Sequence, residues 1–118
     1  MQSALVRIIF RHITGSRATQ VDIVPLGAHR ELILGRAASA AVRFDPRRDI
    51  AVGRHHARIE PDAVPGTFRI VDLGSRNGTL LNGRPLMRPT TLQPGDIVRL
   101  GQDGPEMEVL VEHVGVIQ

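Results

Sequence analysis

Arg36, Arg54 and Arg76 each stand in a short run rich in glycine, asparagine or histidine: Gly35-Arg36, Gly53-Arg54-His55-His56-Ala57, and Asp72-Leu73-Gly74-Ser75-Arg76-Asn77-Gly78-Thr79, with Asn82-Gly83 close behind. Arginine offers a planar, permanently charged fork whose donors match phosphate oxygens in pairs, so these runs have the chemistry to recognise an anion. Asn77 adds an amide with donors and an acceptor, and Asn-Gly also makes a turn that tolerates positive φ. Catalytic readings fit less well. Asp72, Ser75 and His56 have the residue types of a hydrolase triad, but no nucleophile elbow surrounds Ser75. Adjacent His55 and His56 point to opposite faces of an extended segment and have no carboxylate or cysteine at ligand spacing, so no metal site is expected. Gly74-x-x-x-Gly78 is not followed by Lys-Ser/Thr or by a helical pattern, which excludes a nucleotide loop.

The elements that must hold these runs are strands. Leu5 to His12 is rich in β-branched and aromatic residues. Val21 to Pro25 reads as a short strand that Pro25 confines to an edge or an end. Further strands are expected at Glu31–Gly35, Val42–Phe44, Ala57–Glu60, Thr67–Leu73, Asp96–Leu100 and Glu106–Glu112. Asn82-Gly83 is the turn of a hairpin within Leu80–Leu86. Ala37 to Ala41 is rich in alanine but too short to form a helix unaided, and no window keeps a 3.6-residue period. Short strands with Gly/Pro turns at this spacing specify an all-β chain, a sandwich or barrel.

With 118 residues the chain has the length of one domain, 1–118, able to bury roughly two-thirds of its unfolded surface. It has no cysteine, hence no disulfide framework and no thiolate metal site. The first ten residues lack the pattern of a signal peptide, and no apolar run approaches the ~20 residues of a membrane span. A soluble, cytoplasmic domain with no membrane partner is the expectation. All 15 basic residues are arginine, against 12 acidic ones, giving a net charge of +3.

The ordered set Gly35-Arg36, Gly53-Arg54-His55-His56, Gly74-Ser75-Arg76-Asn77-Gly78-Thr79 and Asn82-Gly83 resembles the forkhead-associated (FHA) domain family. Leu92-Gln93-Pro94-Gly95-Asp96-Ile97-Val98-Arg99-Leu100-Gly101 is similar to that family's closing strands. The match covers roughly residues 5–112 and is strongest over 30–101. The resemblance implies a two-sheet β-sandwich of about eleven strands, of FHA/SMAD type, with binding loops at one end. It implies a non-enzymatic module, without cofactor, that binds proteins phosphorylated on threonine by a Ser/Thr kinase, in signalling or scaffolding. By the same resemblance Arg36 binds phosphate, and Gly53, Arg54, Arg76 and Asn77 complete the phosphopeptide contact. Gly35, His56, Gly74, Gly78, Thr79 and Asn82 support the site.

Gly53 departs from the family, which usually carries a phosphate-contacting serine there. Glycine has no hydroxyl, although its backbone N–H remains a donor if the loop curls as a nest. Losing one hydrogen bond to a charged group costs about 1.5–3 kcal/mol, roughly ten- to over a hundredfold in affinity. Arg54, or Arg47 and Arg48 in the preceding Asp45-Pro46-Arg47-Arg48-Asp49 loop, are candidates to replace the contact; the alternative is a phosphate-independent interaction module on the same scaffold. Arg36, Arg43, Arg47, Arg48, Arg54 and Arg58 also fall within a span that could form a basic patch. The only aromatics, Phe10, Phe44 and Phe68, lie in strand patterns rather than on stacking platforms, so nucleic acid is not the expected partner.

Overall fold

The computed structural model describes residues 5–26 and 31–114. Its eleven strands are β1 (Leu5–His12), β2 (Val21–Pro25), β3 (Leu32–Gly35), β4 (Val42–Arg43), β5 (Ala57–Pro61), β6 (Phe68–Asp72), β7 (Thr79–Leu81), β8 (Arg84–Pro85), β9 (Thr90–Thr91), β10 (Asp96–Leu100) and β11 (Glu106–Val114). There is no helix among the described residues. The strands form a six-stranded sheet, β2-β1-β11-β10-β7-β8, and a five-stranded sheet, β4-β3-β5-β6-β9. Pairing is antiparallel except between β3 and β4.

Period-two alternation is what makes these segments strands. Ile8 and Phe10, Val98 and Leu100, and Met107 and Val109 turn inward from one sheet; Leu32 and Leu34, Ala57 and Ile59, and Phe68 and Ile70 meet them from the other. Each large apolar side chain so buried contributes about 1.5–3 kcal/mol relative to exposure. All three phenylalanines are in this core. The intervening residues carry charge, and β1 faces β11 through Arg7–Glu112 and Arg11–Glu108 ion pairs. Such exposed pairs favour register more than they add stability.

Two details differ from the sequence pattern. β2 is an edge strand, as its proline predicts, but Val21 and Ile23 are 52% and 56% exposed while Asp22 and Val24 are less so. Asp22 accepts hydrogen bonds from His12 Nε2 and from both terminal nitrogens of Arg17, which ties the strand's polar side down. β9 was not visible in the sequence, because two residues after Arg88-Pro89 carry no alternation; pairing with Arg69 and Ile70 creates it. Ala37–Ala41 forms a turn, closed by the Ala40 N–H on the Ala37 carbonyl at 3.0 Å.

Register decides which loops meet. Thr79 pairs with Leu100, Met107 with His12, and Ala57 with both Leu34 and Asp72. The segments after Gly35, from 44 to 56, and from 73 to 78 therefore share one end of the sandwich with 13–20 and 101–105. The Asn82-Gly83 turn starts at the other end of β10, beside Asp96 and Ile97.

Candidate functional site

Gly35 ends β3 where the 44–56 loop presses on it. A Cβ at Gly35 would run into the Arg54 carbonyl, so only glycine fits. The close approach lets the Arg36 N–H reach the Gly53 carbonyl at 2.9 Å and the Ala37 N–H reach that of Arg54 at 3.1 Å. The half-buried Arg36 side chain then crosses the loop, Nε donating to the Val52 carbonyl and Nη1 to that of Pro46 at 2.9 Å. Its Nη2 makes no hydrogen bond to the described residues. Arg36 is thus held by the loop and still presents a guanidinium edge, a preorganised arrangement for a phosphate.

His56 lies beneath, fully buried. Its Nδ1 accepts the Gly53 N–H at 2.9 Å, which makes Nε2 the protonated nitrogen; that N–H donates to the Gly78 carbonyl at 2.7 Å. One imidazole therefore joins two loops. Burial pushes its pKa below the usual histidine value, against the opposing pull of the Gly78 hydrogen bond and the Asp72 charge, so the neutral ring is favoured. His55 is exposed. Among the described residues no cluster of His, Asp or Glu could hold a metal ion.

The 73–78 loop is closed by Asp72. Its carboxylate accepts the Ser75 hydroxyl at 2.6 Å, the Ser75 N–H at 3.0 Å and the buried Thr79 hydroxyl at 2.7 Å. Burial would raise the Asp72 pKa, but these hydrogen bonds outweigh it and the net direction is down. Ser75 and Thr79 thus donate to a carboxylate rather than to an imidazole, which is a turn and not a catalytic relay. Gly74 and Gly78 adopt φ of 70° and 77° with open space around them, so the demand for glycine comes from the backbone.

Asn77 tops this loop. It is exposed, and its Nδ2 donates to the Ala51 carbonyl at 3.0 Å, leaving Oδ1 free to accept. The Arg54 and Arg76 side chains are exposed and meet no carboxylate. The fold accordingly gathers Arg36, Gly53, Arg54, Arg76 and Asn77 at one end, with Gly35, His56, Gly74, Gly78 and Thr79 behind them. Asn82 is not among these supports. Its Nδ2 donates to Asp96 Oδ1 at 2.9 Å and its Oδ1 accepts the Ile97 N–H at 2.8 Å, at the opposite end of β10.

Sequence reasoning missed several contributors. The Pro46, Ala51 and Val52 carbonyls grip Arg36 and Asn77, and main-chain acceptors leave no trace in residue type. Gly101, at φ 98°, gives its N–H to Gly78, and a Cβ there would crowd the Ala51 and Asn77 side chains at 3.0 and 3.3 Å. Buried Asp49 joins the 13–20 loop to this end by accepting the Ser16 hydroxyl and the Asp45 N–H. A cleft of about 610 Å³ opens beside Asn77, lined by Ile50, Ala51, Gly104 and Pro105 among others.

The FHA domain family model matches residues 32–101, more than half of the chain, including the segment after Gly35 and the 44–56 and 73–78 loops. The chain belongs to the FHA domain family. Members of this family are non-enzymatic modules that bind phosphopeptides. An oxoglutarate dehydrogenase inhibitor from Corynebacterium efficiens is 33% identical over 101 residues, covering 72% of this chain and 68% of that protein. An FHA domain-containing protein of Arabidopsis thaliana is 44% identical over 57 residues, covering 47% of this chain and 14% of the other. The chain spans only 8% to 14% of the length of its plant, mouse and human relatives. A solved FHA domain from work on phosphothreonine-dependent FHA interactions superposes with a TM-score of 0.69 at 29% identity, over 88% of this chain and 95% of that one.

In this FHA domain Gly53 has a clear structural consequence. The nest amide foreseen from the sequence is not free, because the Gly53 N–H is spent on His56. The position is nevertheless open: a Cβ would meet His56 atoms only at 3.7 to 3.9 Å, and Gly53 is not in the left-handed region. Neither sterics nor backbone conformation demands glycine there.

Proposed function

We propose that this domain binds a partner protein through a phosphothreonine, placing the phosphate on Arg36 with Arg54 and Arg76 around it and the peptide main chain on Asn77. The observation that carries this reading is the mounting of Arg36, fixed by two loop carbonyls with Nη2 left without a partner among the described residues, at the same end as the exposed Arg54 and Arg76. Charge-assisted, paired hydrogen bonds from such a fork are strong and directional. Arg54, beside Gly53, supplies the contact that a serine hydroxyl would otherwise make. Threonine is preferred over serine by a pocket for its γ-methyl, a discrimination of about 1–3 kcal/mol. The cleft beside Asn77 takes residues that flank the phosphothreonine.

Gly53 itself favours a second reading, a phosphate-independent interaction module on the same scaffold. Isothermal titration at fixed salt separates the two, using a degenerate phosphothreonine peptide library and its unphosphorylated twin. Wild type should release phosphate-dependent heat, and Arg36→Ala and the double variant Arg54→Ala/Arg76→Ala should lose it. The double variant matters because neither of its side chains holds a loop. Equal heats with both libraries, or none, would overturn the phosphothreonine reading.

A further inference from the structure

We infer that a second anion subsite adjoins Arg36, and that the preferred ligand carries two anionic groups on one peptide: the phosphothreonine and a second phosphorylated or carboxylate side chain. This rests on the phosphothreonine reading above. It is carried by how the arginines are distributed. Among the described residues Arg7, Arg11, Arg17, Arg58, Arg69 and Arg99 each stand against a carboxylate. Arg36, Arg43, Arg47, Arg48, Arg54 and Arg76, all at the loop end, do not; nor do Arg84 in β8 and Arg88 before β9, but neither of these lines the hollow described next. Acidic residues are not missing from that end, but their oxygens take hydrogen bonds from backbone amides and hydroxyls rather than from guanidiniums. Asp45 accepts the Arg47 and Arg48 backbone N–H groups, Asp49 the Ser16 hydroxyl, and Asp72 the Ser75 and Thr79 hydroxyls. In a chain with 15 arginines and 12 acids, the loop-end guanidiniums are left for something outside the domain.

Two of them face a hollow of about 400 Å³ between the 13–20 loop and the start of the 44–56 loop. Pro46 forms part of its wall, and the Pro46 carbonyl also accepts from Arg36, so the hollow lies directly beside the phosphate-binding arginine. Arg17 in the lining is saturated: it donates to both oxygens of Asp22, to Gln20 Oε1 and to the Arg43 carbonyl. It builds the hollow and has no charge to spare. With Oε1 turned to Arg17, Gln20 directs its amide N–H groups away from that partner. Arg43 uses only Nε, on the Arg36 carbonyl at 3.3 Å, and the Arg48 guanidinium bonds to nothing in the described protein. Asp45 shares the lining, but its Oδ1 is turned onto the two amides whose turn projects Arg48. Arg43 and Arg48 set two guanidiniums without an ion-pair partner against the single carboxylate of Asp45, so positive charge is in excess in the hollow and an anion there takes paired hydrogen bonds. A peptide is the fitting source, because the hollow adjoins the peptide site and every phenylalanine is buried, leaving no stacking platform for a nucleic acid.

The test is titration of the whole chain with three sets of synthetic phosphothreonine peptides. Each set carries a second phosphothreonine, a glutamate or an alanine at every flanking position in turn. At one position or two adjacent ones the second phosphate should tighten binding roughly tenfold or more, and glutamate less. Arg48→Gln and the double variant Arg43→Gln/Arg48→Gln should remove that gain. They should leave the singly phosphorylated peptide within about twofold of wild type, as expected for exposed, screened charges. Arg48→Gln breaks no hydrogen bond of its own side chain, so its result does not depend on an altered fold. No gain at any position, or a gain that survives the double variant, would overturn the second subsite. A gain spread evenly over all positions would also overturn it, since that marks general attraction. If the singly phosphorylated peptides bind no better than unphosphorylated ones, the phosphothreonine reading itself fails; if they bind normally and only the gain is missing, the second subsite alone fails.

Discussion

Asn77-Gly78 and Asn82-Gly83 are the same dipeptide, and the fold uses them in opposite ways. Asn82 and Gly83 both take positive φ, 52° and 82°, the backbone of a tight hairpin turn. Both ends of the Asn82 amide are consumed by β10, on Asp96 and Ile97. Asn77 stays out of the left-handed region and leaves that to Gly78. Its amide makes one bond, to the Ala51 carbonyl, and keeps an acceptor open at an exposed position. A polar side chain satisfied within the protein holds structure, and one left half satisfied at a loop end can hold a ligand. Residue type is identical in the two cases; unspent hydrogen-bonding capacity separates them.

The contrast can be broken by experiment. Asn77→Ala should weaken phosphothreonine-peptide binding by about ten- to a hundredfold, the cost of an unmade polar contact at the ligand, with little change in unfolding free energy. Asn82→Ala should do the reverse and cost about 2–3 kcal/mol in denaturant unfolding, from a positive φ and two lost hydrogen bonds, one to nearly buried Asp96. Asn82→Gly keeps the backbone conformation and should recover part of that loss. If both asparagines lowered binding equally, or both lowered stability equally, the distinction would be wrong. Gly53→Ser sharpens the picture at the site. A Cβ there meets its neighbours only at ordinary contact distance, so binding to the phosphorylated peptide should tighten by up to about tenfold with stability unchanged. No change in affinity would mean that the phosphate lies elsewhere.

The smallest expected effect is on the pH dependence of stability. The folded His56 pKa lies below 6.5 because of burial. As pH falls below that value the unfolded chain takes up a proton that the folded ring refuses, so stability is lost, by at most about 1.4 kcal/mol per pH unit. Above it both states are neutral and the residue contributes no slope. Asp72 acts in a lower window: its depressed folded pKa gives stability that is present above 3.8 and lost as the pH falls through the folded value. Urea titrations of wild type and His56→Gln should diverge in slope below pH 6.5, and parallel curves there would exclude His56 as the source.

Much of the scaffold was legible because strands write themselves into alternation. β1 to β6, β10 and β11 could be read from residue type and period-two patterns, and the β7–β8 hairpin from Asn82-Gly83. β9 could not, having no residues to spare for a pattern. At the site, Arg36 and Asn77 stand out through the family resemblance of their motifs, and the fold sets both at one end of the sandwich. The position of Asn82 was misjudged, because a motif gives order along the chain and not the end of the sheet at which a turn lies. The fate of the Gly53 amide was also hidden, since nothing in the residue type of His56 says which donor its Nδ1 will meet.

The sequence by itself determined an all-β chain, its apolar faces, the glycines that its turns require, and the arginines and asparagine of its loops. These are local matters, decided by side-chain volume, backbone freedom and charge. Only the tertiary structure decided which of those residues are already spent. Arg17 and Arg36 are the same side chain in sequence. Packing sets one against Asp22 and hangs the other on two carbonyls with an edge in solvent. That allocation depends on contacts between segments far apart in the chain, where hydrogen-bonding capacity is used once and the remainder faces out.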